Sequence, residues 1–161
     1  MSSRHIDVVV GAIIEGPDGK ILLIKQKKWG SEYTCFVGGR VKPDERIDEA
    51  LKREIYEETS LRVTSCERLS FGDFLREEDA RQYTPQAKSL GTVGYSHAVF
   101  LDYFCRVSNS HFKLNNEIQE AQWVEPGKAL ELVVEKQAPT IKMLIEQHKL
   151  INQPDQEAIP V

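Results

Sequence analysis

The chain has 161 residues, 40% of them apolar and 29% charged, a balance that suits one compact domain with a sizeable core. The formal net charge of −4 excludes a broadly basic surface, so no nucleic-acid polymer is expected as a partner. A polyanionic substrate would have to be met by local basic groups or by bound metal.

In chain order, IDVVVGAII (residues 6–14) reads as a mostly buried strand, GPDG (16–19) as a turn, and KILLIKQ (20–26) as a second strand completing a hairpin. YTCFV (33–37) reads as a third strand ending in Gly38-Gly39. A loop carrying Pro43 follows, and Asp44 is placed to cap a helix running to about Glu58. LRVTSCERLSF (61–71) is strand-like. The polar stretch at 72–92 reads as a long loop, a feature often tied to function. YSHAVFLDYFCRV (95–107) is a long strand, and EAQWVEP (120–126) a short one stopped by Pro126. Residues 127–135 and 139–150 read as helices. With no internal repeat and no linker, a single α+β domain is expected over residues 1–150, with a frayed tail at 151–161.

Cys35, Cys66 and Cys105 are odd in number, widely spaced and lack a Cys-x-x-Cys pair. They read as buried free thiols in a reducing compartment. The start, MSSRHID, is too polar for a signal peptide, and the longest apolar run, VVVGAII, is far short of a membrane span. A cytoplasmic protein with no membrane partner is the expectation.

The chemistry concentrates in REIYEETS, residues 53–60. At about 100° per residue, Ile47, Ala50, Leu51 and Ile55 form one stripe, and Glu49, Lys52, Arg53 and Tyr56 fall opposite. Glu54 and Glu58 land inside the apolar arc and Glu57 at its edge. Carboxylates turned toward an interior cost several kcal/mol unless something compensates them. A cluster of hard oxygen donors suits Mg²⁺ or Mn²⁺. Glutamates that simply reach water at a fraying helix end would give the same pattern, so the wheel alone leaves both readings open.

Residues 39–61, GRVKPDERIDEALKREIYEETSL, resemble the Nudix box, G-x5-E-x7-R-E-U-x-E-E-x-G-U, where U is a bulky aliphatic residue. Gly39, Glu45, Arg53, Glu54, Ile55, Glu57, Glu58 and Leu61 fill eight of the nine specified places. The resemblance implies a Nudix-type α/β/α sandwich around a mixed β-sheet. It implies hydrolysis of nucleoside diphosphates linked to another moiety, with Mg²⁺ (or Mn²⁺) as cofactor and a small nucleotide as substrate.

By position, the resemblance makes Glu54, Glu57 and Glu58 metal ligands, together with the Gly39 carbonyl. Arg53 would orient the glutamates and Glu45 would support them. Family members often add an acidic residue from a distant loop as ligand or general base, a place that Glu117 fits best and Glu120 next. Glu57, Arg53, Glu54 and Glu117 are thus the catalytic candidates.

Lys25, Lys27, Arg40 and Lys42 flank the expected site and are candidates for outer phosphates, though each also reads as ordinary surface charge. Trp29 and Tyr33 are candidates for stacking a base. Arg76, Arg81 and Tyr83 lie in the long loop, where substrate selection is expected. The family often dimerises, so a homodimer is compatible with the resemblance.

The second glycine of the box is Ser60 here, and many members have proline where this chain has Val37. Serine at a left-handed helix end costs about 1 kcal/mol or calls for a different cap. A short chain without an appended domain favours a nucleoside triphosphate as substrate. Nucleotide sugars and ADP-ribose are alternatives. A non-catalytic nucleotide-binding module would be marked by lost glutamates, and all are present. Isomerisation of a prenyl diphosphate would call for a reactive cysteine, and neither Cys35 nor Cys105 has a motif around it.

Overall fold

The structure, a computed structural model, describes residues 5–27, 32–75 and 97–151. The β-branched run after Asp7 forms β1 (Asp7–Glu15), and β2 (Ile21–Gln26) follows a turn in which Gly19 takes φ 82°. The expected hairpin closes only at Glu15↔Ile21 before its strands part. β1 then runs parallel to β5 (His97–Val107), from Asp7↔Ala98 to Glu15↔Arg106. β2 pairs with β6 (Ile118–Val124). β3 (Val37–Arg40) lies antiparallel to β1, and β4 (Val63–Leu75) pairs with β5. The sheet order is β4-β5-β1-β2-β6, with β3 beside β1. A parallel central strand must be covered on both faces, which is why β1 is an almost continuous apolar run.

Two cores fill those faces. On one, α1 (Ile47–Thr59) packs Ala50, Leu51 and Ile55 over Val10, Ala12, Leu22, Ile24 and Val37. On the other, α2 (Pro126–Leu132) and α3 (Ala138–Ile151) bring Ala129, Ile141 and Leu144 onto Ile13, Leu23, Phe104 and Val124. The mixed sheet between helical layers is the expected α/β/α sandwich. Gln137, in a short 3-10 turn before α3, is buried and stitches the C-terminal layer to the segment before β3. Its Oε1 accepts from the Cys35 N–H at 2.9 Å, and its Nε2 donates to Thr34 Oγ1 at 2.8 Å.

Several expectations are corrected. The third strand starts at Val37 rather than Tyr33, so Gly38 and Gly39 lie within it. Tyr33 and Thr34 make only isolated bridges. Asp44 is not the helix cap: it takes φ 64° in a turn closed by the Glu45 N–H donating to the Lys42 carbonyl, and α1 starts at Ile47. Ile47, expected on the core stripe, is 40% exposed because it occupies the first, outward turn. Only α2 covers the region expected as a helix to residue 135. β4 extends through residues 72–75 of the expected loop, and the remainder of that loop lies outside the described residues.

The cysteines also depart from expectation. Cys66 and Cys105 face each other across β4 and β5 and are joined by a disulfide, with Cα atoms 4.2 Å apart; Cys35 alone is a free thiol. Residues 39 apart in sequence became neighbours only through strand pairing, which spacing cannot reveal. Among the described residues no helix is long and apolar enough to cross a membrane.

Candidate active site

The strand β3 and the helix α1 meet at Gly39. A Cβ on this residue would sit 2.6 Å from the carboxyl carbon of Glu54, so the space a side chain would take is filled by that carboxylate. One residue earlier the constraint is of another kind. A Cβ on Gly38 would lie 1.9 Å from the Val10 carbonyl oxygen, so glycine there lets β3 press onto β1. The pair is therefore two separate requirements, one toward the sheet and one toward the acidic helix.

Arg53 organises the acidic residues. Its Nε and Nη2 donate to both oxygens of Glu45 at 2.6 and 2.9 Å. Nη1 donates to Glu54 at 2.9 Å and to Glu57 at 3.2 Å, and Nη2 also donates to the Arg40 carbonyl at 3.0 Å. One rigid guanidinium thus holds three carboxylates and the end of β3. Its hydrogen bonds, with one from the Lys42 N–H, hold the Glu45 carboxyl at about 2, well below its ordinary value. Glu45 is accordingly occupied in fixing Arg53.

The other glutamates occupy graded environments. Glu58 is 2% exposed. Glu54 is half-buried, and burial raises its pKa against the opposing effect of Arg53, with Glu57 and Glu117 adding to the rise. The Glu57 side chain is 49% exposed and is the most accessible carboxylate of the group. The wheel therefore reads correctly for Glu54 and Glu58, and Glu57 lies at the water-facing edge as expected.

Glu117 reaches this region through a segment that the sequence offered no way to place. The Lys113 N–H donates to the Thr59 carbonyl at 2.8 Å and the Asn115 N–H to the Glu58 carbonyl at 3.3 Å, so residues 113–115 run along the end of α1. Asn115 Oδ1 then accepts from the Glu117 N–H at 3.0 Å, and the Glu117 carbonyl accepts from the Lys27 N–H at 3.0 Å. Glu117 is within electrostatic reach of Glu54. Glu120, the other candidate, is engaged elsewhere: its carboxylate accepts from Tyr33 at 2.5 Å and pairs with Lys25 at 3.3 Å.

Of the basic candidates, Lys25 also lies over the Tyr33 ring at 4.4 Å, and Arg40 pairs with Asp7 at 3.6 Å. Lys27 and Lys42 are exposed. Trp29, Arg76, Arg81 and Tyr83 lie outside the described residues. Among the described residues no three carboxylate, histidine or cysteine side chains close around a common cation-sized point. The donor set nevertheless fits a hard divalent cation: Glu54 is pressed against glycine backbone, Glu57 is accessible and Glu58 is buried on the same helix.

Ser60 keeps the geometry of the glycine it replaces, with φ 62°, its N–H donating to the Tyr56 carbonyl at 2.8 Å. Its Oγ donates to the Lys113 carbonyl at 3.2 Å, so the serine also ties down the segment leading to Glu117. The sequence reading missed Asp102 on β5, Gln137 and residues 113–115 as parts of the architecture. For Asp102 a signal existed, since it is the one charged residue inside the apolar run AVFLDYF.

Comparison with known proteins identifies the family and the fold. The family model of the NUDIX domain matches residues 5–144. The nucleoside triphosphatase NudI of Escherichia coli is 35% identical over 114 residues, covering 68% of this chain and 75% of that protein. Among solved structures, the MutT protein of Methanosarcina mazei superposes with a TM-score of 0.66 at 19% identity, covering 92% of this chain and 99% of that one. The E. coli ORF135 protein superposes with a TM-score of 0.59 at 23% identity, covering 92% and 94%.

Proposed function

The chain belongs to the Nudix family and is a hydrolase acting on acid anhydrides, and from that premise we propose that it is a divalent-cation-dependent pyrophosphohydrolase of nucleoside triphosphates. The observation that carries this reading is the convergence of Glu45, Glu54 and Glu57 on one guanidinium, with the Glu54 carboxylate seated on Gly39. The choice of nucleoside triphosphate is supported by the activity of the NudI relative.

Glu54, Glu57, Glu58 and Glu117, with the Gly39 carbonyl, are the groups that would hold Mg²⁺ or Mn²⁺. The cation, when bound, would offset the negative charge of the phosphate chain. Arg53 keeps Glu54 and Glu57 aimed at the same place and so supplies orientation without meeting the substrate. Glu57, the accessible carboxylate, is placed to accept a proton from the attacking water, with Glu117 as the second candidate. Lys27 and Lys42, both exposed, are free to meet outer phosphates.

The test is formation of the nucleoside monophosphate, with pyrophosphate as co-product from nucleoside triphosphates and a sugar phosphate as co-product from nucleotide sugars and ADP-ribose, across a panel of these substrates with Mg²⁺. Triphosphates are expected to turn over fastest, and Glu57→Gln to lower kcat by about 100-fold or more. Chelation of divalent cations is expected to abolish turnover, with recovery on adding Mg²⁺. Unchanged turnover in Glu57→Gln removes the proposed role of that carboxylate, and a preference for nucleotide sugars or ADP-ribose replaces the substrate.

A further inference from the structure

The edge of the sheet carries a covalent link that phosphate chemistry does not use, and its two sulfurs are unequal. Cys105 is fully buried in the core under α1. Cys66 lies on the edge strand β4 and is exposed. A thiol arriving from solvent therefore meets Cys66 Sγ first.

The surface beside Cys66 is hollow. A groove of about 190 Å³ runs between α1 and β4, lined by Asp48, Leu51 and Lys52 of the helix, Val63 and Cys66 of the strand, and Tyr103 of β5. Leu51 belongs to the buried core, and Val63 and Tyr103 pack against it, so they form the apolar side of the groove. Asp48 and Lys52, one helical turn apart, are exposed, and among the described residues neither takes part in an ion pair. An accessible sulfur, an apolar recess and one free charge of each sign thus share one small space.

We propose that Cys66 is a thiol-exchange site for a small thiol bearing both an ammonium and a carboxylate, as free cysteine or a short cysteine peptide does. Asp48 receives the ammonium and Lys52 the carboxylate, while the sulfur of the small thiol bonds to Cys66. In opening, the incoming thiolate bonds to Cys66 Sγ and the Cys66–Cys105 bond breaks. The electron pair leaves on Cys105 Sγ, which takes up the proton that the small thiol gave up. A second small thiol attacks the adduct and releases a small disulfide and the Cys66 thiol.

Closing is the reverse. The Cys66 thiolate attacks a small disulfide and expels one small thiolate. Cys105 then loses its proton, attacks Cys66 Sγ and expels the other. Burial makes Cys105 a poor leaving group, whereas the solvated small thiolate is a good one, so the link closes readily and opens only in excess thiol. At about 100° per residue, Asp48 and Lys52 lie on the flank of α1 opposite Glu54 and Glu57. The groove is therefore separate from the acidic cluster, and the exchange does not depend on hydrolysis.

The test traps the adduct. In Cys105→Ala the resolving thiol is gone. Treated natively with cystine or oxidised glutathione, this variant is expected to keep one mixed disulfide, on Cys66, as read by intact mass and peptide mapping. In Cys66→Ala, Cys105 is expected to react only after denaturation. Rates with each charged disulfide are divided by the rate with neutral hydroxyethyl disulfide, which cancels any change in the thiolate fraction of Cys66. Adding Lys52→Ala or Asp48→Ala to Cys105→Ala is expected to lower that ratio by about two- to fivefold, the worth of one exposed ion pair.

A contrast with either disulfide supports the inference and tells a free amino acid from a peptide. A ratio unchanged for both overturns it. So does an adduct on Cys35 or Cys105 of the native protein, or a Cys66 that stays unmodified. If Cys105→Ala does not fold, the wild-type protein is held in excess reduced glutathione, quenched with acid and mapped. A mixed disulfide on Cys66 is then expected, and one on Cys105, or none at all, overturns the proposal.

Discussion

At the scale of single residues, Gly38 and Gly39 make opposite predictions although they are adjacent and chemically identical. At Gly39→Ala the new Cβ meets the end of a flexible side chain, so Glu54 swings aside. Stability measured by urea unfolding is expected to change by about 1 kcal/mol or less, while kcat falls by about tenfold or more because a carboxylate is displaced. At Gly38→Ala the Cβ meets a backbone carbonyl that cannot move alone. The expected loss is about 3 kcal/mol or more of stability.

Asp102 gives a pH prediction. Its native pKa is raised from 3.8 to about 6, so between those values the folded state binds more protons than the unfolded chain, and its contribution to stability falls as pH rises through that window. Asp102→Asn removes the penalty. The variant is expected to be more stable than wild type at pH 8 by about 2–3 kcal/mol and to lose that advantage below pH 4, as read by urea unfolding at the two pH values. The nearby Cys35 thiol, fully buried and pushed far up, stays neutral throughout.

At the scale of elements, α1 is specified by its own sequence, and β4 is held by its neighbour. Burial along α1 follows the 3.6-residue period, with Ala50, Leu51, Ile55 and Glu58 inward. The long edge strand β4 is largely exposed along its length. It is fixed by eleven register pairs with β5 and by the Cys66–Cys105 bond. Cross-linking residues 39 apart restricts the unfolded chain, so reduction is expected to cost about 2–4 kcal/mol, seen as a lowered Tm with dithiothreitol. Thiol titration of the denatured protein should find one free thiol before reduction and three after. Three reactive thiols in the purified, unreduced protein would show that the link does not form.

At the scale of the whole molecule, the site is assembled from parts far apart in sequence. Glu117 arrives beside α1 only because residues 113–115 bond to the last carbonyls of that helix and Lys27 bonds to the Glu117 carbonyl. Glu117→Gln is expected to lower kcat by about tenfold or more. Unfolding should be unchanged, since its anchoring bonds use backbone atoms and Asn115. A variant that instead loses stability with normal turnover would make Glu117 a structural residue.

The sequence by itself determined the acidic helix, the inward turn of Glu54 and Glu58, the pairing of Arg53 with Glu57 and the family. All of these depend on residues within one local stretch, 39–61, where spacing and helical period are enough to say what meets what. It also read five of the six strands found among the described residues in their approximate place, while the third, expected at 33–37, lies at Val37–Arg40. Only the tertiary structure decided that β1 leaves β2 to pair with β3 and β5, that Cys66 and Cys105 meet, that Glu117 rather than Glu120 lies near Glu54, and that Asp102 faces Gly11 and Phe36. Each of these is a contact between segments distant in the chain. Local periodicity shows which face of an element is apolar, but strand partners and register are set by the packing of all elements at once.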